Sequence, residues 1–246
     1  MDTKNYYSDL LDAIETDGRV ARIVRGISWT AAVLSDGQAG IAMHTAGESV
    51  PRMLETLEGL PAREAARAVL SWNLEEASEG MAVVNACLNR TERAKACGCF
   101  YTDSALSGID LRGKTVGFVG HLLHHSGITE QLVSAAKEYF ILEREPKPGD
   151  YPDSACEYLL PGCDVVVITG SAAVNKTMPL LLELAQNAQI ILTGPTVPLC
   201  PALFSLGIDR LNGQVITERD AMLKKIVEGR TSVNAFSRHW TLDAAL

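Results

Sequence analysis

Asp164-Val165-Val166-Val167-Ile168-Thr169-Gly170-Ser171 is a β-branched run that closes on a Gly-Ser turn. Asn175-Lys176-Thr177-Met178-Pro179 then opens an apolar helix in which Met178, Leu181, Leu182, Ala185 and Ala188 form one stripe at helical spacing. Thr177 stands where it can cap that helix, and Pro179 suits a first turn, where a missing N–H costs nothing. A second apolar run, Gln189-Ile190-Ile191-Leu192-Thr193, ends on Gly194-Pro195-Thr196. Strands apolar on both faces, alternating with helices, predict a parallel sheet covered on both sides. In such a sheet ligands bind beyond the carboxyl ends of the strands. Gly170 and Ser171 belong there, as do Gly194, Pro195 and Thr196.

The same alternation extends backward and forward from this stretch. Thr115-Val116-Gly117-Phe118-Val119-Gly120 reads as a first buried strand, 128–139 as a helix, 140–145 as a second strand and 156–160 as a short helix. A weaker strand at 210–216 precedes a helix that opens at Thr217-Glu218-Arg219-Asp220 and that Gly229 can close. The expected fold class is α/β: a Rossmann-like, mostly parallel sheet with helices on both faces, over residues 110–246.

Upstream the pattern changes. A helix is expected at 3–17, strand character from 20 to 34, and a hairpin signal at Ser35-Asp36-Gly37-Gln38 before Ala39. Residues 47–59 read as loop with a short helix. Two helices follow, one after Pro61 through Trp72 and one over 73–91, where Asn73 and Glu76 have capping-box spacing. Residues 1–100 therefore form a smaller α+β domain, with 92–113 as linker.

Composition narrows the function. The 246 residues are 47% hydrophobic and 21% charged, those of an ordinary globular protein. A formal net charge of −8 without a Lys/Arg cluster argues against nucleic acid as a partner. The start lacks a basic and an apolar signal region, and the longest uncharged stretch is broken by prolines and amides, so a cytoplasmic protein without membrane spans is expected. Six irregularly spaced cysteines read as reduced thiols.

Several short signals carry chemistry. Gly170 to Thr177 falls one residue short of a phosphate-binding loop, with Asn175 where the second glycine belongs; a helix start that binds some other anion fits better. Val116 to Gly120 follows a dinucleotide-binding strand without its full glycine fingerprint, and Glu143 or Glu145 ends the next strand, where a carboxylate can take a ribose hydroxyl. His121, His124 and His125 lie just past the first strand, and in a helical turn His121 with His124 or His125 can ligate a soft or borderline metal, with Cys200 or an acidic group completing the set. Surface or hydrogen-bonding roles are the alternative. Cys97-Gly98-Cys99 is a single thiol pair without a partner pair.

Val119-Gly120-His121, Glu145-x-x-Pro148-Gly149-Asp150, Leu159-Leu160-Pro161-x-x-Asp164, the Thr169 to Thr177 run and Gly194-Pro195-Thr196-x-Pro198-x-x-Pro201 together resemble a bacterial and archaeal family named for heavy-metal chelation. The resemblance covers most of the second half, and the first half is similar to that family's companion module, itself like the N-terminal domain of enolases. It implies a site in the cleft between the two domains and a role in handling or making a metal chelate. The family carries Gly-Pro-Ser-Thr-Pro where this chain has Gly194-Pro195-Thr196-Val197-Pro198, so one hydroxyl is replaced by Val197.

The expectation is a protein that binds a small anionic or metal-chelating ligand. Gly120, Gly170, Ser171, Asn175 and Thr177 would offer donors, and Gly194, Pro195 and Thr196 the opposite wall. His121 and Glu145 would ligate a transition metal ion or move a proton. The alternative is an enzyme using a nucleotide cofactor, dehydrogenase- or transferase-like. A homo-oligomer is left open.

Overall fold

A computed structural model describes residues 5–45 and 50–244 of the chain. The first half opens with α1 (Asn5–Asp12) and a three-stranded antiparallel meander, β1 (Val20–Arg25), β2 (Trp29–Leu34) and β3 (Ala39–Met43). The expected single strand over 20–34 is two, because Gly26, Ile27 and Ser28 turn the chain and Gly26 N–H donates to the Trp29 carbonyl at 2.9 Å. The first helix ends at Asp12 instead of 17. Of the 47–59 segment, 47–49 lie outside the described residues, and no helix forms over 50–59. Next come α2 (Ala62–Ala65), which runs on as a tighter turn to Leu70, and α3 (Leu74–Leu88).

The expected linker at 92–113 is structured. It holds α4 (Thr91–Ala96) and β4 (Phe100–Tyr101), and its Ala105, Leu106 and Leu111 are core residues. The second half continues with β5 (Thr115–Val119), α5 (Glu130–Val133), β6 (Glu138–Glu143), β7 (Tyr151–Pro152), α6 (Cys156–Leu159), β8 (Val165–Thr169), α7 (Ser171–Val174), α8 (Met178–Leu184), β9 (Gln189–Thr193), β10 (Arg210–Ile216), α9 (Arg219–Val227) and β11 (Ser237–Asp243). The helix expected at 128–139 is one turn, since β6 begins at Glu138 to pair with Thr115. Thr177 precedes α8 without a side-chain cap; its hydroxyl is 3.4 Å from the Ala172 carbonyl.

Eight strands form the large sheet in the order β4-β11-β10-β9-β8-β5-β6-β7. From β10 to β7 all neighbours are parallel, which gives the Rossmann order and puts the topological switch between β5 and β8. Val166, Ile168, Ile190 and Leu192 face one core and Val165, Val167 and Ile191 the other, which is why these strands lack polar alternation. The small sheet is also covered on both faces. Ala32, Leu34 and Ala42 join the core that holds α3, while Trp29, Ala31 and Val33 pack with Met222, Leu223 and Ile226 of α9. Among the described residues no helix is long and apolar enough to cross a membrane.

Candidate functional site

At the switch point β5 ends on Gly120, whose φ of +102° suits glycine. A Cβ there would sit 3.0 Å from Thr169 Cγ2, so the bare backbone lets the end of β5 lie against the end of β8. His121 follows at once. Its backbone N–H donates to Glu143 Oε2 at 2.9 Å, and its ring Nδ1 lies 3.1 Å from Asp150 Oδ2. The Asp150 side chain is 4% exposed and that of His121 27%, so a mostly buried carboxylate holds an imidazole that reaches solvent. An ionised carboxylate only accepts, so in the neutral imidazole this contact puts the proton on Nδ1 and leaves Nε2 with its lone pair.

Local sequence explains how Asp150 arrives. Lys147-Pro148-Gly149-Asp150 is a tight turn with Gly149 at φ +99° and Asp150 N–H donating to the Lys147 carbonyl at 2.9 Å, the type II pattern with Pro and Gly in the two central places. Asp150 Oδ2 also accepts from Lys147 N at 3.0 Å. Glu145, the residue expected beside His121, sits exposed on this loop, and Glu143 and Asp150 make the contacts instead. Both Glu143 oxygens are engaged, one by His121 N and one by Arg144 N at 2.8 Å. His124 and His125 lie on the exposed turn beyond, where His124 and Ser126 hold φ of +67° and +50°.

The second wall is Thr169-Gly170-Ser171. The Thr169 and Ser171 hydroxyls are 3.1 Å apart, with Ser171 6% exposed. A Cβ on Gly170 would meet Val197 N at 2.7 Å, so the turn at 194–197 packs directly on the turn at 170–171. The two glycine turns are thus brought together, and the first half closes over them. Thr196 Oγ1 accepts from Met43 N at 2.9 Å, and Asn85 Nδ2 reaches the Thr196 carbonyl at 3.1 Å and the Pro195 carbonyl at 3.4 Å. Asn175 Oδ1 accepts from Thr45 Oγ1 at 3.4 Å, and Tyr7 OH donates to the Ala173 carbonyl at 2.7 Å. Thr196 and Asn175 therefore fasten the two halves, and Thr177 bonds back into its own turn. Asn85 and Thr45 were not singled out by sequence reasoning. Glu143 was read only as a strand-end carboxylate for a ribose hydroxyl, and Asp150 stood in the Pro148-Gly149 motif without a role of its own.

Lys176, in the phosphate-loop lysine position, turns away from the crevice. It adopts φ +67°, donates to the Val69 carbonyl and lies 4.9 Å over the Tyr7 ring. Among the described residues no three His, Cys, Asp or Glu side chains converge to hold a metal ion. All six cysteines are free, and burial pushes the Cys87, Cys99, Cys156 and Cys163 thiols up to about 11, so they stay protonated at neutral pH. A resident metal centre built from protein donors alone does not fit the described residues. A groove of about 610 Å³ between α1 and α2 lies apart from the crevice. His121, Glu143 and Asp150 converge at the switch point, which makes it the candidate site.

Comparison with known proteins adds the family. Residues 107–243 match the model of the DUF364 family and residues 7–88 that of DUF4213, both described as "Putative heavy-metal chelation". The chain belongs to the DUF364 family. A DUF364 protein of unknown function from Desulfitobacterium hafniense has a crystal structure with TM-score 0.86 and 32% identity, covering 98% of each chain. Another, from Pyrococcus horikoshii, shares the fold with TM-score 0.80 at 21% identity, over 99% of this chain and 100% of its own. An uncharacterized protein of Methanocaldococcus jannaschii is 30% identical over 159 residues, 62% of this chain; the match spans 60% of that curated relative's length. None of these three names assigns an activity.

Proposed function

We propose that this chain binds a small anionic metal chelate in the crevice at the carboxyl ends of β5 and β8. His121 Nε2 would take an open coordination position on the metal. The observation that carries this reading is the His121 ring held through Nδ1 by the mostly buried Asp150 carboxylate at the switch point. One fixed imidazole holds a bare cation weakly, whereas a metal already wrapped by an organic chelator needs just such a single donor. The Thr169 and Ser171 hydroxyls, with the Gly120 and Gly170 backbone, would meet the chelator's oxygens. Gly194, Pro195, Thr196, Asn175 and Thr177 would shape the wall by fixing the first half. Glu143 and Asp150 replace Glu145 as the groups beside His121. The six free thiols suit a reducing, cytoplasmic setting.

Calorimetric titration with nickel citrate, nickel chloride and citrate alone tests this. Nickel citrate should bind more tightly than either component, and His121→Ala should weaken it at least about tenfold, the loss of one good ligand contact. Replacing the exposed His124 by Ala should leave it unchanged. Equal affinity of wild type and His121→Ala would remove the proposal.

The Rossmann strand order supports a second reading, a nucleotide-cofactor enzyme. Against it, the Glu143 carboxylate that would take a ribose hydroxyl already accepts from two backbone N–H groups. NAD or S-adenosylmethionine at a hundred times its dissociation constant would stabilise the fold by about 2.7 kcal/mol, so a raised melting temperature with either favours that reading and flat curves oppose it.

A further inference from the structure

Away from the crevice, a groove, bare charges and large exposed apolar side chains meet on the first half. The groove of about 610 Å³ between α1 and α2 takes its apolar lining from Tyr7, Leu11, Pro61 and Leu70. Leu70 is 37% exposed, and Trp72, two residues on, is 72% exposed. Asn73 Nδ2 donates to the Val50 carbonyl at 2.7 Å, which sets segment 50–53, with its exposed Val50 and Met53, next to the Trp72-Asn73 stretch. An indole this bare gains little from the folding of its own chain, and tryptophan is among the residue types that most often anchor a protein interface. The charges say which partner fits. Arg63, Arg67, Asp12 and Glu64 line the groove, two of each sign. Arg63 reaches Asp12 across it at 3.5 Å, whereas Arg67 and Glu64 form no ion pair among the described residues. A nucleic acid, an anionic membrane or an acidic peptide would meet the carboxylates, and a basic segment would meet the guanidinium groups. A patch carrying both signs in equal number is complementary to itself under a two-fold rotation, which lays the arginines of one copy on the carboxylates of the other. The paired patches then add no net charge, even though each chain carries −8.

We propose that two copies of this chain meet through the α1/α2 face as an isologous dimer, with Leu70 and Trp72 as its apolar anchor and Arg67 of each copy paired to Glu64 of the other. Truncating the anchor removes buried apolar area, and reversing either charge sets like charges against each other across the two-fold axis. The groove lies apart from the crevice, so each copy keeps its own His121 site.

Sedimentation velocity of the full-length protein tests the proposal. The wild type should dimerise, and Trp72→Asp should raise the dissociation constant at least about tenfold, as loss of an interface anchor does. Arg67→Glu tips the lining to acidic and Glu64→Arg tips it to basic, so each alone should stay monomeric where the wild type is dimeric. An equimolar mixture of the two should associate again, because every cross-copy pair is then opposite in sign. All three positions are exposed, so the melting temperatures of the isolated variants should show that they fold. His121→Ala, which tests the chelate crevice, should leave the dimer intact. A wild type monomeric at about 100 µM, a dimer indifferent to Trp72→Asp, or a mixture that does not recover overturns the proposal, and so does a monomer that sediments with anionic vesicles.

Discussion

The ammonium of Lys176 meets a ring face and a carbonyl in place of water, and desolvation lowers its affinity for a proton while Glu76 offsets this in part. Between about 8 and 10.5 the unfolded chain binds a proton that the folded chain has lost, so stability contributed by this site rises with pH through that window. Below it the full penalty of the buried charge applies. Allowing for partial exposure, the stability of Lys176→Met relative to wild type should fall by about 1–2 kcal/mol between pH 7 and pH 10.5. Urea unfolding at the two pH values measures this, and a pH-independent difference would contradict it. Residue types at the crevice were legible in the same stretch of sequence: Gly120, His121, Gly170, Ser171 and Thr196 do gather at strand ends. Partners were less so. Glu145 and Asp150 both follow β6, and only the turn at Pro148-Gly149 decides which of them returns to His121.

Among the elements, α3 shows how a correct local reading misses a distant role. Asn73 Oδ1 accepts from Glu76 N at 3.0 Å, as the capping spacing predicts. The Glu76 carboxylate does not reach back to Asn73, however. It accepts from Met53 N and Leu54 N, each at 2.7 Å, and one turn later Glu79 takes the Arg52 fork at 3.0 and 2.6 Å and Arg25 Nε at 2.6 Å. Two buried carboxylates thus strap segment 50–54 onto the helix, an arrangement set by groups more than 20 positions away, beyond any local pattern. Burial alone would raise the Glu79 pKa, but hydrogen bonds from Arg52 and Arg25 outweigh it and hold the carboxyl below its ordinary value. Its contribution is therefore present above the unfolded carboxylate range and is lost as pH falls through the lowered folded value. Glu79→Gln, which leaves the two arginines half-satisfied, should cost about 2–4 kcal/mol at pH 7. The gap to wild type should narrow at pH 3. Thermal melts at both pH values check it, and a gap that does not shrink in acid would count against the ion pairs as its source.

For the molecule as a whole, the sequence changes character from Lys114 onward, yet the two halves are more interleaved than a linker at 92–113 implies. The apolar stripe of Met222, Leu223 and Ile226 is readable in α9, but no local pattern says whose face it covers. It covers the small sheet of the first half, where Trp29, Ala31, Val33 and Ile41 meet it and Trp29 Nε1 donates to the Thr231 carbonyl at 2.6 Å. On the opposite side of that sheet, Asn89 at the end of α3 binds the Val197 and Gln214 carbonyls and accepts from Leu199 N at 2.7 Å. A fragment of residues 1–100 would leave the α9-facing side of its sheet bare to water, and each of its large apolar side chains would forgo about 1.5–3 kcal/mol of burial. Such a loss is comparable with the whole stability of a small domain. The fragment alone should give a collapsed nitrogen–proton correlation spectrum without a cooperative melt, and co-expression with residues 101–246 should restore both. A well-dispersed spectrum and a sharp transition from residues 1–100 alone would show instead that the first half folds without α9, and that the contact between the halves is docking between finished domains.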